Sequence, residues 1–381
     1  MKAYFDYCKD LLSRMISCNT TNPEGNEEAL ARLLCEEMQK MGIAAYVQPV
    51  SPNRANVIGE AGKGEKALLL NGHLDVVPAV GDWQSDPFVM NERNGKFYGR
   101  GTADMKGPIA AMMAAMKWHL ENTKDLPGRV KLAFDADEEL GTTGITKLLA
   151  EDNDNYLGAV IGEPTLLEVC VTHKGLIRMR VNLHGKGAHA STPKAGINSI
   201  QKAAKAILAL QAANDELQQK EHPLLPRRTL TPTMIEGGEK ENVIPSFCSF
   251  LLDIRPYPGD TYDDMEALVH KYLALLMDAD PEFDYTLTKV LDVFPGELPT
   301  DHPWAKKVVD IHNNTFHSST KARDFGATCE QCFLLAKGIP TVIAGPGSMA
   351  QAHIVDEYID IDQLEKGVLF YKQVIADAFG L

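Results

Sequence analysis

The chain has 381 residues, too many for one ordinary core and suited to two domains. Its formal net charge of −14 at pH 7 argues against nucleic acid or anionic membrane as a partner, since either needs a basic face. No run of about 18 apolar residues is present to span a membrane, and the seven scattered cysteines fit a reducing cytosol.

The N-terminus has no uninterrupted apolar core and no small-residue cleavage site. Leu11, Leu12, Met15 and Ile16 recur at helical spacing, which predicts an amphipathic helix and not a signal peptide. Residues 19–23 form a turn rich in N-cap residues, and Leu30, Leu33, Leu34, Met38 and Met41 mark a second helix over 27–41. Strands are expected over 44–50, 56–59 and 66–70.

The last of these strands ends in Asn71-Gly72 and then presents His73-Leu74-Asp75. Buried strands of open α/β sheets read this way, and their ligands collect outside the carboxyl ends. One imidazole nitrogen of His73 can bind a metal while Asp75 takes the N–H of the other or supports the site from nearby. A satisfied core histidine is the plain alternative. After a loop around Trp83, Asp104 lies in a Gly-flanked segment just before a helix over 108–120. It reads as a ligand, as a helix N-cap, or as both. The methionines of that helix read as packing.

A strand over 130–136 breaks into Asp137-Glu138-Glu139, and one over 159–162 ends in Glu163. Consecutive carboxylates after an apolar strand are costly unless solvated, protonated or metal-bound. A strand over 340–344 leads through Gly345-Pro346-Gly347-Ser348 to His353. Four apolar strands thus each deliver a histidine or an acid, and Asp104 joins them from its loop. The set has N and O donors and no Cys, which suits Zn²⁺, Co²⁺ or Mn²⁺. Cys329 and Cys332 form a C-x-x-C with no second pair nearby, and they read as plain thiols at the start of a helix.

The middle of the chain changes character. Residues 174–184 alternate as a half-buried antiparallel strand, followed by a loop that carries His189. A helix over 197–210 has Ile200, Ala203, Ala204, Ile207 and Leu208 assigned to one face. Strands near 233–235, 247–254 and 285–290 and a helix over 262–276 complete a small α+β sandwich. The expectation is a catalytic α/β domain made of 1–173 and 294–381, interrupted by an insertion at 174–293. Arg255 ends one inserted strand, where an ion pair is the plain reading.

GHLDVVP, GRGTADMKG, DADEE, GEPT, GAHASTP, NVIP, DIRPYPG and GPGSMAQAH, in that order, resemble a family of di-zinc metallohydrolases. That family contains acetylornithine deacetylase, succinyl-diaminopimelate desuccinylase, aminoacylase and some carboxypeptidases. The resemblance implies a zinc-exopeptidase-like α/β catalytic domain with a mostly parallel sheet, and an inserted dimerisation domain in a homodimer. It implies two Zn²⁺ per subunit, with Co²⁺ able to substitute, held by His73, Asp104, Glu139, Glu163 and His353. Asp104 would bridge the ions, Asp75 would orient His73, and Glu138 would be the general base. His189 would reach the partner subunit's site. Arg255 and Asn242 would bind substrate, Arg255 through a carboxylate.

The implied activity is removal of an acyl group from an N-acyl amino acid, with a lean to N-acetylornithine on GEPT and GPGSMAQAHIVDEY. Desuccinylation of succinyl-diaminopimelate is the second reading, and cleavage of dipeptides or of C-terminal residues the third. A metal-binding scaffold without catalysis would lack the base or the bridging acid, and Glu138 and Asp104 are both present.

Overall fold

The computed structural model describes residues 1–126 and 128–381. The chain divides into two compact units: Met1–Val171 with Leu298–Phe325 and Cys329–Leu381, and Thr172–Glu297 with Gly326–Thr328.

The first unit is built on a sheet whose four central strands are parallel. In spatial order they are Arg129–Asp135, Lys66–His73, Asn155–Pro164 and Thr341–Gly345. Arg54–Gly62 and Ala44–Ser51 extend one side antiparallel, and on the other Cys170 pairs with Ile343. Three of the four parallel strands end at or beside a histidine or an acid, and the fourth, Thr341–Gly345, leads on to His353, so the candidate ligands follow the carboxyl ends of the parallel strands. Ala67, Leu68, Leu69 and Leu70 are buried on both faces, which explains a continuous apolar run without alternation. Each such leucine contributes about 1.5–3 kcal/mol by burial.

The helix Lys106–Asn122 is buried along most of its length, between Lys2–Ile16 and Ile361–Phe379. Met105, Met112, Met113 and Met116 are all buried there, as packing residues. Its N-cap position is Met105, and no side chain caps it, so Asp104 is not the cap. Gly72 lets the helix start sit on the strand end: a Cβ there would lie 2.4 Å from Met105 Cε. Trp304, on the helix Pro303–Phe316, donates its indole N–H to the Ala159 carbonyl at 3.0 Å. Cys329 and Cys332 are buried free thiols, and Cys332 lies on the helix Gln331–Ala336.

The second unit has a four-stranded antiparallel sheet in the order Thr229–Gly237, Phe247–Arg255, Leu176–His184, Asp284–Val293. Burial alternates along Leu176–His184, so Ile177, Met179, Val181 and Leu183 face the helices Ser199–Leu217 and Tyr262–Ala279. Thr261 caps the second of these, and Asp264 returns the bond to the cap N–H. The buried face of Ser199–Leu217 is Ala203, Ala206, Leu210, Ala213 and Leu217. Ile200 and Leu208 are exposed, contrary to the face read from the sequence.

Candidate metal centre

Five side chains expected to bind metal come together in the first unit. His73 closes its strand with the ring buried, and Nδ1 donates to the Asp75 backbone carbonyl at 3.0 Å. That bond leaves Nε2 facing the acids, 3.1 Å from Asp104 Oδ1 and 3.9 Å from Glu163 Oε1. The other oxygen of Asp104, Oδ2, lies 3.3 Å from Nε2 of His353. His353 Nε2 is also 3.0 Å from Glu139 Oε2. Asp104 therefore stands between two sets, His73 with Glu163 on one side and His353 with Glu139 on the other. Donor atoms of His73, Asp104 and Glu139 all lie within 4.8 Å of one another, a group able to hold a metal ion.

Asp75 is fully buried, and its carboxylate serves the acid pair as much as the imidazole. Its oxygens accept the backbone N–H of Glu138 at 3.0 Å and of Glu139 at 3.1 Å, and Oδ1 lies 3.6 Å from His73 Nδ1. Burial would raise the carboxyl pKa of Asp75, but the bonds to His73, Asn22 and Glu139 hold it below the ordinary value.

The centre concentrates negative charge out of water. Burial, then the Asp104 charge, pushes Glu163 up to about 8. Burial, with the charges of Glu163, Glu139 and Asp75, holds Glu138 well above the usual carboxylate range despite the pull of His73. Asp104 goes the other way: burial opposes its ionisation, yet hydrogen bonds from His353 and His73 keep its pKa depressed. Bonds to Asp104 and Glu139 push His353 up to about 10. Divalent cations would offset this buried negative charge. The donor set of imidazole and carboxylate fits such ions.

Other expected site residues lie in the second unit. His189 ends the two-residue strand Ala188–His189, which pairs with Val243–Ile244. Its ring is exposed, with Nδ1 2.8 Å from Ser191 Oγ. Asn242 is beside it, since its carbonyl accepts the Ala190 N–H at 2.9 Å. Arg255 is elsewhere, at the far end of the nine-residue strand Phe247–Arg255. That strand spans about 26 Å at ~3.3 Å per residue. Arg255 Nε donates to Asp253 Oδ1 at 2.7 Å, and the side chain stays about one-third exposed.

Residues the sequence reading passed over support the centre. Asn22 is buried in the turn after the first helix and bonds both Asp75 and Asp137. Glu357 is buried behind the Asp104 loop. A polar residue in a loop gives no sequence signal of burial. The segment HIVDEY held Glu357 four positions after His353, and that spacing was the one available hint.

The profile of peptidase family M20/M25/M40 matches residues 69–377. The chain belongs to this family. Acetylornithine deacetylase of Proteus mirabilis is 33% identical over 360 residues, 92% of this chain and 90% of that protein. Acetylornithine deacetylase of Photorhabdus laumondii is 34% identical over 355 residues, 91% and 89%. In fold the chain is similar to an M20 family metallo-carboxypeptidase from Sulfolobus solfataricus, with a TM-score of 0.81, 19% identity, and 98% and 99% of the two chains covered. A tripeptidase from Staphylococcus aureus gives a TM-score of 0.80, 19% identity, and coverage of 98% and 97%. The α/β fold class expected from the motifs stands, and the protein is a metal-dependent hydrolase of the family.

Proposed function

We propose that this chain removes the acyl group from an N-acyl amino acid, with N-acetylornithine as its substrate. The observation that carries the hydrolytic part is the position of Asp104, one oxygen toward each of His73 and His353. His73, Glu163 and Asp104 would hold one Zn²⁺, and His353, Glu139 and Asp104 the other, with Co²⁺ able to replace either. Two such ions lower the pKa of a water toward neutrality and polarise the amide carbonyl.

The chain's own residues supply the rest. Glu138 takes the proton from the attacking water and passes it to the leaving amine. Glu139 Oε2 lies 3.0 Å from His353 Nε2, which supports Glu139 as the ligand and Glu138 as the base. Arg255 receives the substrate carboxylate, because its planar fork matches two oxygens. Asn242 stands with His189 and holds the substrate beside it.

His189 and Arg255 are separated by most of a strand within one unit, too far to grip one small substrate together. This supports a homodimer in which His189 serves the partner subunit's substrate, donating to the oxyanion. The edge strand Thr229–Gly237 supports it too, with Met234 and Ile235 exposed and one side unpaired within the described chain. All seven cysteines are free, which supports work in the reducing cytoplasm.

The substrate rests on the names of the curated relatives. Initial rates on N-acetylornithine, succinyl-diaminopimelate, other N-acyl amino acids and dipeptides, with zinc present, test it. The expected result is the highest kcat/KM on N-acetylornithine. Turnover of dipeptides alone would replace the deacylase reading by a peptidase one, and zinc uptake without any turnover would leave a scaffold.

A further inference from the structure

Glu357 is completely buried, and its carboxylate collects four donors. Oε2 accepts from Arg100 Nη1 at 2.7 Å and from the Gly101 N–H at 3.1 Å. Oε1 accepts the N–H of Ala103 at 2.8 Å and the N–H of Asp104 itself at 3.1 Å. The Glu357 carbonyl accepts the Gly99 N–H at 3.0 Å. Directly after Glu357 the chain forms the strand Tyr358–Asp360, antiparallel to Lys96–Tyr98, with Tyr358 opposite Tyr98. The segment that has just delivered His353 is thereby fastened to the loop that delivers Asp104.

A buried ion pair with Arg100 would need one of these bonds. The three backbone bonds do something else: they fix the main chain at Gly101, Ala103 and Asp104. Gly99 and Gly101 take φ of +155° and +88°, and bonds such as Arg100 N–H to the Pro87 carbonyl and Thr102 N–H to the Gly99 carbonyl shape the start of the loop, while Glu357 accepts the N–H of Asp104 itself. We propose that Glu357 is a positioning residue for the candidate metal centre, setting the Asp104 carboxylate midway between His73 and His353 so that it can serve two cations. The inference rests on the metal-hydrolase reading above. Partners of metal ligands typically alter metal affinity 10–100-fold when removed.

The test is Glu357→Gln. A glutamine amide has one acceptor oxygen, so whichever way it lies its NH₂ faces donors. Metal-free protein is titrated with Zn²⁺ by calorimetry, and bound zinc is counted by mass spectrometry after dialysis. Wild type is expected to bind two Zn²⁺ per chain. Glu357→Gln is expected to keep one and to bind the second about tenfold or more weakly. At limiting zinc kcat should fall with KM unchanged, and excess zinc should restore it. Arg100→Gln keeps the carboxylate and the backbone bonds, so it should bind both ions nearly as wild type while losing stability. If Glu357→Gln does not fold, Glu357→Asp keeps the charge but is too short to span both sides, and it should weaken the second ion in the same way. Two ions bound with wild-type affinity in a folded Glu357 variant would overturn this inference alone. A wild-type chain that takes up no zinc would overturn the metal reading and the inference with it.

Discussion

Asn22 donates its side-chain amide to the Asp75 carboxylate at 2.8 Å, joining a turn near the N-terminus to the support of the candidate base and ligand. The same amide reaches Asp137 Oδ1 at 3.1 Å, and Arg54 Nη2 donates to the Asn22 oxygen at 2.6 Å. Asp75 in turn holds the backbone of Glu138 and Glu139. Asn22→Ala should therefore cost metal-free protein about 1–3 kcal/mol, the penalty of leaving buried carboxylates short of a donor. Urea unfolding checks it. The loosened Glu138–Glu139 turn should also lower kcat with little change in KM.

Glu138→Ala should leave both metals bound and lower kcat by about 10²–10⁴, the usual contribution of a positioned acid–base group. Metal content and kcat measured on one preparation check this. Loss of a metal ion instead would exchange the roles of Glu138 and Glu139.

His173 gives a pH dependence with a definite sign. The ring is fully buried, with Nδ1 2.8 Å from the Lys174 carbonyl, and burial pushes its pKa down to about 4 from an ordinary 6.5. The unfolded chain takes up the proton first as pH falls. Stability from the neutral ring is full above about 6.5 and is lost as pH falls through about 4. The loss should be on the order of 3 kcal/mol. His173→Gln should flatten the acid limb of stability across that window, measured by urea unfolding of metal-free protein at successive pH values.

Ile235 lies exposed on the edge strand Thr229–Gly237, whose outer side is unpaired among the described residues. Ile235→Lys should give monomers by sedimentation, because a buried charge at a strand-to-strand interface is costly. Turnover should fall with the dimer if His189 works across it. A monomer with full activity would assign His189 to its own chain.

The parts of the fold legible in the sequence were those with one dominant signal. The apolar runs ending at His73, Glu163 and the Asp137–Glu139 turn marked buried strands, because a continuous apolar stretch followed by acids has few other stable placements. The same runs, with His353 and Asp104, outlined the candidate site before any geometry. Glu357 and Asn22 were not legible, since their burial comes from segments far apart in sequence meeting around them. The buried face of Ser199–Leu217 was misread for a related reason. Ile200 and Leu208 dominate the apolar pattern, but the face turned to the sheet is the one bearing Ala203, Ala206, Leu210 and Ala213.

The central claim is that side chains remote in sequence hold a pair of cations to hydrolyse an N-acyl amino acid. Zinc titration of metal-free protein, following acetate release from N-acetylornithine, tests it most directly. Activity should be absent without metal and should rise to a plateau at two equivalents per chain. Full hydrolysis in the presence of excess chelator, or none at any zinc level, would contradict it.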